Sequence, residues 1–297
     1  MHHEFIVNPV AGKGRALQMV EKIKSRFRDF SQTCEIRITE APGHAQELAK
    51  DAVSKGGDVR LYSVGGDGTL NEVINGMAGS NLELGIIPCG SGNDAARSLY
   101  SVTDPVKLIE LLPVSPTTMV DVGKFNEKYF INIASIGFDA DVVLKSRKFK
   151  GFPLVSGPLS YILGVLAALF RLKKYRLKLS IGNSLKVEKD ILLSIFANGA
   201  YYGGGMKAAP RARMDDGILD FYLVDAVPRS TILKLFQKFK NGEHESLDVV
   251  SMYRSVNAVI ESDEPFPVNI DGEVSMEDHA VIDILPKFLN VIVPRTS

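Results

Sequence analysis

Residues Gly65-Gly66-Asp67-Gly68-Thr69 constrain this chain more than any other segment. They follow an apolar run, Leu61-Tyr62-Ser63-Val64, that reads as a buried strand. They precede Leu70, Val73, Ile74 and Met77, whose i, i+3, i+4, i+7 spacing lays them on one helical face. A glycine turn therefore joins a strand to a helix N-terminus. Glycines let the backbone approach a ligand closely, and the helix start offers unpaired N–H groups and a positive dipole end. The result is a phosphate site with a carboxylate, Asp67, set inside it. A carboxylate repels phosphates unless a cation lies between them, so a Mg²⁺–nucleotide is the natural guest. Gly-Gly-Asp-Gly is also a sound tight-turn sequence. Repetition tips the balance.

Glu4-Phe5-Ile6-Val7 is a second strand-like run. It leads into Asn8-Pro9-Val10-Ala11-Gly12-Lys13-Gly14 and then a helical face of Ala16, Val20, Ile23 and Phe27. Leu84-Gly85-Ile86-Ile87-Pro88 is a third, running into Cys89-Gly90-Ser91-Gly92-Asn93-Asp94 and a short helix from Ala95. In a parallel sheet all three loops lie at the carboxyl edge, where ligands bind. No loop ends in Gly-Lys-Ser/Thr, so none is a Walker A loop, and none is a convincing Gly-x-Gly-x-x-Gly dinucleotide turn.

Strands and helices alternate from residue 4 to about 115, with a further strand at Cys34, Ile36 and Ile38 and a helical stripe at Ala45, Leu48, Ala49, Ala52 and Val53. This predicts an α/β domain with a doubly wound parallel sheet over residues 1–118. Pro113 and Pro116 mark its end. Strand signals then crowd together: Asp121–Phe125 and Tyr129–Ile133 around a turn at Asn126-Glu127-Lys128, then Leu177–Ile181, Ile191–Ala197, Leu219–Val224, Val256–Ile260 and Val281–Leu285. One helix, Ser230–Lys240, interrupts them. That density predicts an antiparallel β-sandwich domain over 119–297. The closing strand, 290–297, is a candidate to return to the first domain.

Lys plus Arg and Asp plus Glu both count 35, so no basic excess points to nucleic acid. Cys34 and Cys89 form no disulfide framework, and a reducing cytoplasm is the simpler setting. His2 and His3 are too few for a metal site, and the strand that begins at once leaves no room for a signal peptide. Residues 151–170 are uncharged and long enough to span a bilayer. Pro153, Gly157 and Pro158 break the first half, and a span would put sites that must cooperate on opposite sides. A helix over Leu159–Phe170 is expected instead, either plain core or an apolar mouth for lipid. Lys145, Arg147, Lys148, Lys150, Arg171, Lys173, Lys174, Arg176 and Lys178 would form its basic collar.

The three loops resemble those of the diacylglycerol kinase catalytic family, whose members also include sphingosine and ceramide kinases. The family's Asn-Pro-x-Ser-Gly is here Asn8-Pro9-Val10-Ala11-Gly12, with Ala11 in place of Ser. Gly-Gly-Asp-Gly-Thr-x-Asn-Glu-Val matches from Gly65 to Val73. Gly-Thr-x-Asn-Asp-Phe-Ala-Arg becomes Gly90-Ser91-Gly92-Asn93-Asp94-Ala95-Ala96-Arg97, and the resemblance continues through Asp121, Asp216 and Asp271-Gly272-Glu273. It implies ATP and Mg²⁺ as cofactors. Asn8, Pro9, Val10, Ala11, Gly12, Thr39, Gly66, Asp67, Gly68, Thr69, Leu70, Asn71, Glu72 and Ser91 would line the nucleotide. Asp67, Asp94 and Asp121 would position catalytic Mg²⁺; the carboxylate of Asp216 and the carbonyls of Arg213 and Ile218 would hold a structural one. Glu273 would be the general base, supported by Asp271. Without the resemblance, Asp94 is a helix N-cap, Asp121 a strand-start residue, Asp215-Asp216-Gly217 a turn and Asp271-Gly272 a hairpin turn. The implied activity is transfer of the ATP γ-phosphate to a lipid hydroxyl, as from diacylglycerol to phosphatidic acid. The implied setting is the inner face of a membrane, bound peripherally; a homodimer is left open. The competing readings are an NAD kinase-like phosphotransferase, which shares Gly65–Thr69 but not Asn93-Asp94 or Asp271–Glu273, and a nucleotide-binding regulator without turnover.

Overall fold

A computed structural model describes residues 1–28, 32–149, 157–183 and 185–295. Its first half is built on β1 (His2–Val7), β2 (Thr33–Ile38), β3 (Val59–Gly65) and β4 (Glu83–Pro88), all parallel in the order β2-β1-β3-β4. β1, β3 and β4 are nearly continuous buried runs, as a sheet covered on both faces requires. α1 (Arg15–Arg28) packs with α5 (Pro105–Leu111), and α2 (His44–Lys55) with α3 (Asp67–Met77). Right-handed crossovers put one pair on each face. α4 (Asp94–Leu99) is a short helix after β4.

β5 (Thr117–Phe125) and β6 (Lys128–Phe130) form a hairpin in which Asn126 takes a left-handed φ of 51°. The boundary expected at 118/119 falls within β5. The second half is antiparallel: β7 (Ile133–Gly137), β8 (Tyr175–Ile181), β9 (Leu185–Ala197), β10 (Leu219–Asp225), β11 (Val250–Ser255), β12 (Asn257–Ile270) and β13 (Glu273–Ile292). β7 and β8 each pair with both β9 and β12, so they lie end to end between those two bent strands. Phe125, Phe196, Phe221 and Phe266 fill the core they enclose. On another face of the sheet, α6 (Phe138–Phe149), α7 (Gly157–Phe170) and α8 (Arg229–Asn241) stand over a separate apolar cluster.

β13 joins the halves. Its early residues pair with β12, its later ones with β5, and Asn290 and Val291 pair in parallel with Glu83 and Leu84 of β4. The hairpin it forms with β12 turns on Asp271 (φ 46°) and Gly272 (φ 98°), a two-residue turn with both central residues left-handed.

α6 and β11 carried no sequence signal we recognised. The α6 segment, Phe138–Phe149, mixes charges into its apolar stripe, and β11 is half-exposed along most of its length. Of the apolar run tested as a span, residues 151–156 lie outside the described residues, as does Lys150. The described helix α7 has 14 residues. Among the described residues no helix is long and apolar enough to cross a membrane. Gly164 of α7 lies close against α6, since a Cβ there would meet the Val142 carbonyl at 2.7 Å.

Candidate active site

The three glycine loops converge at the carboxyl edge of the parallel sheet. Gly12 has φ 59°, and a Cβ on it would stand 1.9 Å from the Cys89 carbonyl oxygen. A Cβ on Gly90 would stand 2.5 Å from the Gly66 Cα. Only glycine allows backbones to meet at that range. Asn8 Nδ2 donates to Thr69 Oγ1 at 2.9 Å while Asn8 Oδ1 accepts the Val10 N–H, tying the first loop to the start of α3. The Thr39 N–H donates to the Val7 carbonyl, which sets buried Thr39 at the same edge. Val10 and Ser91 are exposed on the open side. Pro9 and Ala11 lie between Asn8 and Gly12 in the first loop, half-buried.

The acids divide into three groups. Asp67 does not stand free in its loop. Its Oδ2 accepts the Asn93 N–H at 2.7 Å and its Oδ1 accepts the Asp94 N–H at 2.9 Å, so it caps α4 from outside. Asp94 in turn accepts the Gly204 and Gly205 N–H groups at 2.8 and 2.7 Å. These bonds, with Asn132 Nδ2 donating to the Tyr201 carbonyl, hold the Tyr201–Gly205 segment in place. Asp271 is locked by the Ile131, Asn132 and Ile133 N–H groups. Asn71 Nδ2 approaches it at 3.5 Å. Burial pushes Asp94 up to about 6, and Asp67's charge adds to the shift. Burial likewise pushes Asp271 up to about 6, again with Asp67 contributing. Negative charge is thus concentrated around Asp67.

Glu273 is exposed on the hairpin beside this group. Its Oε1 is 3.6 Å from where a Cβ on Gly68 would lie, at the mouth of the central glycine loop. A carboxylate from the second domain therefore faces the phosphate loop of the first.

Other expected residues sit differently. Leu70 is buried in the core, and its N–H is bonded to the Gly66 carbonyl. Glu72 accepts the Gly43 and Ala45 N–H groups, capping α2 rather than reaching into the loop. Asp121 is buried within β5, accepting the Gly217 and Lys287 N–H groups. Its own N–H donates to the Met214 carbonyl, so it belongs with the 213–218 turn and not with Asp67. In that turn Asp216 Oδ2 meets Arg254 at 2.5 Å and Oδ1 accepts the Ile218 N–H. Arg254 also serves Asp220, whose Oδ2 is buried without a partner. Arg254 is thus shared between Asp216 and Asp220.

Among the described residues, the one group placing three candidate ligand atoms within 4.8 Å of one another is His2, Glu4 and Glu35. Glu4 is already paired with Arg37 at 2.8 Å, and the group lies at the opposite edge of the sheet. If Asp67 and Asp94 hold Mg²⁺, phosphate or water oxygens would have to complete its shell. Their charge and the glycine amides fit a Mg²⁺–nucleotide on those terms. Sequence reasoning missed Asn132, Tyr202 and Asn269, because single polar residues in apolar strands and loops carry no motif.

Parallel strands with glycine loops at one edge, faced by an acid from a β-domain, define a two-domain kinase-type fold. The sequence comparisons agree: residues 2–125 match the diacylglycerol kinase catalytic domain, and residues 132–293 match the YegS C-terminal NAD kinase β-sandwich-like domain. A diacylglycerol kinase of Mycobacterium tuberculosis is 31% identical over 301 residues, covering 98% of this chain and 94% of that protein. One from Staphylococcus carnosus is 28% identical over 293 residues, with the same coverage of 98% and 94%. A diacylglycerol kinase crystal structure from Bacillus anthracis superposes with a TM-score of 0.73 at 23% identity, covering 98% of this chain and 96% of that one. An ATP complex of an NAD kinase from Archaeoglobus fulgidus shares the fold, with a TM-score of 0.52 at 11% identity. The chain belongs to the diacylglycerol kinase family.

Proposed function

We propose that the chain is an ATP-dependent lipid kinase that phosphorylates a lipid hydroxyl, with diacylglycerol as acceptor and phosphatidic acid as product. The observation that carries this is the Glu273 carboxylate poised over Gly68. Phosphoryl transfer needs the γ-phosphate held, its charge neutralised and a hydroxyl aimed and deprotonated. Backbone amides of the three loops hold the phosphates. ATP with Mg²⁺, held by the loops and Asp67, would supply the transferable group and the neutralising cation. Asp271, fixed by three backbone amides, sets the hairpin from which Glu273 takes the acceptor's proton. A second, structural Mg²⁺ would be held by Asp216 with the Arg213 and Ile218 carbonyls.

Contact with the inner face of a membrane fits α7, where Leu166 and Phe170 are 57% and 77% exposed beside Arg171 and Lys173. The collar is weaker than the sequence suggests, since Lys174, Arg176 and Lys178 are paired with Asp190, Glu188 and Asp263. Binding to anionic vesicles should still fall as salt rises past about 0.1 M, where screening acts within ~10 Å. Sedimentation with vesicles measures it; resistance to salt extraction would contradict peripheral contact.

The deciding experiment is turnover of labelled ATP against a mixed lipid extract, with mass analysis of the product. A phosphorylated glycerolipid is expected. Phosphorylated NAD would instead favour the NAD kinase-like reading, and nucleotide binding without any product would favour a regulator.

A further inference from the structure

The second domain holds an apolar cavity of about 80 Å³ between the sheet and helices α6, α7 and α8. Val142, Val165, Leu192 and Leu235 supply its walls, and Asp139 and Tyr202 are its polar residues. Asp139 stands in the first turn of α6, immediately after β7. The Ser135 and Tyr202 hydroxyls and Asn269 Nδ2 all converge on one of its oxygens, Oδ2. Asn269 Nδ2 also donates to the Tyr202 hydroxyl. Oδ1 is shut off from solvent without a well-formed partner, and the Ala140 N–H also donates toward the carboxylate.

This cluster is continuous with the catalytic hairpin. Asn269 is buried in β12, and its Oδ1 accepts the Gly272 N–H at 2.9 Å. Gly272 lies between Asp271 and Glu273. In the other direction, Tyr202 belongs to the strap whose Gly204 and Gly205 amides are gripped by Asp94. A hydrogen-bonded chain thus runs from the third glycine loop through Tyr202, Asp139 and Asn269 to the turn that carries Glu273.

We propose that Asp139 is a positioning residue for the Asp271–Glu273 turn, acting through Tyr202 and Asn269. An amide side chain has several rotamers, and the Asn269 Oδ1 faces Gly272 only while its Nδ2 is held elsewhere. Asp139 and Tyr202 provide that hold. All three donors meet a single oxygen, so that acceptor oxygen is what the positioning requires. Asp139→Asn can keep that oxygen, whereas Asp139→Ala cannot.

The catalytic consequence rests on the lipid kinase reading, but the positioning itself does not. Amide hydrogen exchange on the full-length chain separates the two. In Asp139→Ala and in Tyr202→Phe, exchange at Gly272 should quicken about five- to tenfold, as for the loss of one hydrogen bond. Exchange in α3 should stay unchanged, and Asp139→Asn should behave as wild type. With an acceptor lipid, kcat should fall in the first two variants while KM for ATP holds, and Asp139→Asn should restore kcat. Tyr202→Phe removes one oxygen and tests the idea even if Asp139→Ala fails to fold. Unchanged Gly272 exchange in Tyr202→Phe would overturn the proposal. So would an Asp139→Asn variant as fast in exchange as Asp139→Ala. A wild type that phosphorylates no lipid would sink the kinase reading and leave the exchange result to decide the positioning.

Discussion

Asp94 and Asp271 are carboxyl groups held out of water beside Asp67, and both are pushed up to about 6 from 3.8. An acid with a raised pKa binds its proton more tightly in the folded chain than in the unfolded one. These groups therefore add stability below about pH 4, and that contribution is lost as pH rises through about 6. Melting temperatures taken between about pH 4 and about pH 7 should show this slope in wild type and a shallower one in Asp94→Asn. An identical slope in the variant would contradict the burial of Asp94. The same residues show what a sequence can disclose. Asp67, Asp94 and Asp271 stand out as acids in glycine-rich turns, and their place in the chain is enough to nominate them. Their partners are backbone amides 26 to 140 residues away, which no local pattern encodes. Asp94 is not the N-cap of α4: Asn93 holds that position, the Asp67 carboxylate takes the first amides of the helix, and Asp94 reaches out to the Tyr201–Gly205 strap.

Elements were legible where a period was clean. β1, β3 and β4 are short apolar runs ending in glycine loops, and α1 and α2 carry regular buried stripes. α6 was lost because Asp139, Asp141, Lys145 and Lys148 interrupt its apolar positions. The glycine loops make a test at this scale. Gly90→Ala would press a methyl group to 2.5 Å from the Gly66 Cα. Overpacking of this kind costs about 1–3 kcal/mol. Nucleotide affinity, followed by calorimetry, should drop with a modest fall in melting temperature; unchanged affinity would mean that the loops do not hold the nucleotide together. The 213–218 turn makes another. If a cation shares Asp216 with Arg254, a chelator should lower the melting temperature of wild type, and Asp216→Ala should remove that response. A wild type indifferent to chelation would assign the turn to Arg254 alone.

At the scale of the whole molecule, β13 is the decisive element. In 20 residues it leaves the Glu273 turn, pairs along β12 and β5, and ends beside β4. The acid and the glycine loops are thus carried on strands of one hydrogen-bonded network, which brings Glu273 to the mouth of the Gly68 loop. The central claim is that Glu273 acts as a base on an acceptor while the loops hold the nucleotide. Glu273→Gln keeps size and polarity but takes no proton. ATP affinity and transfer to lipid should be measured on the same preparation. Affinity should be unchanged and lipid phosphorylation should fall by ~10²–10⁴, the usual worth of a general base. Lipid phosphorylation at the wild-type rate would contradict the claim and leave Asp271–Glu273 as a plain hairpin turn.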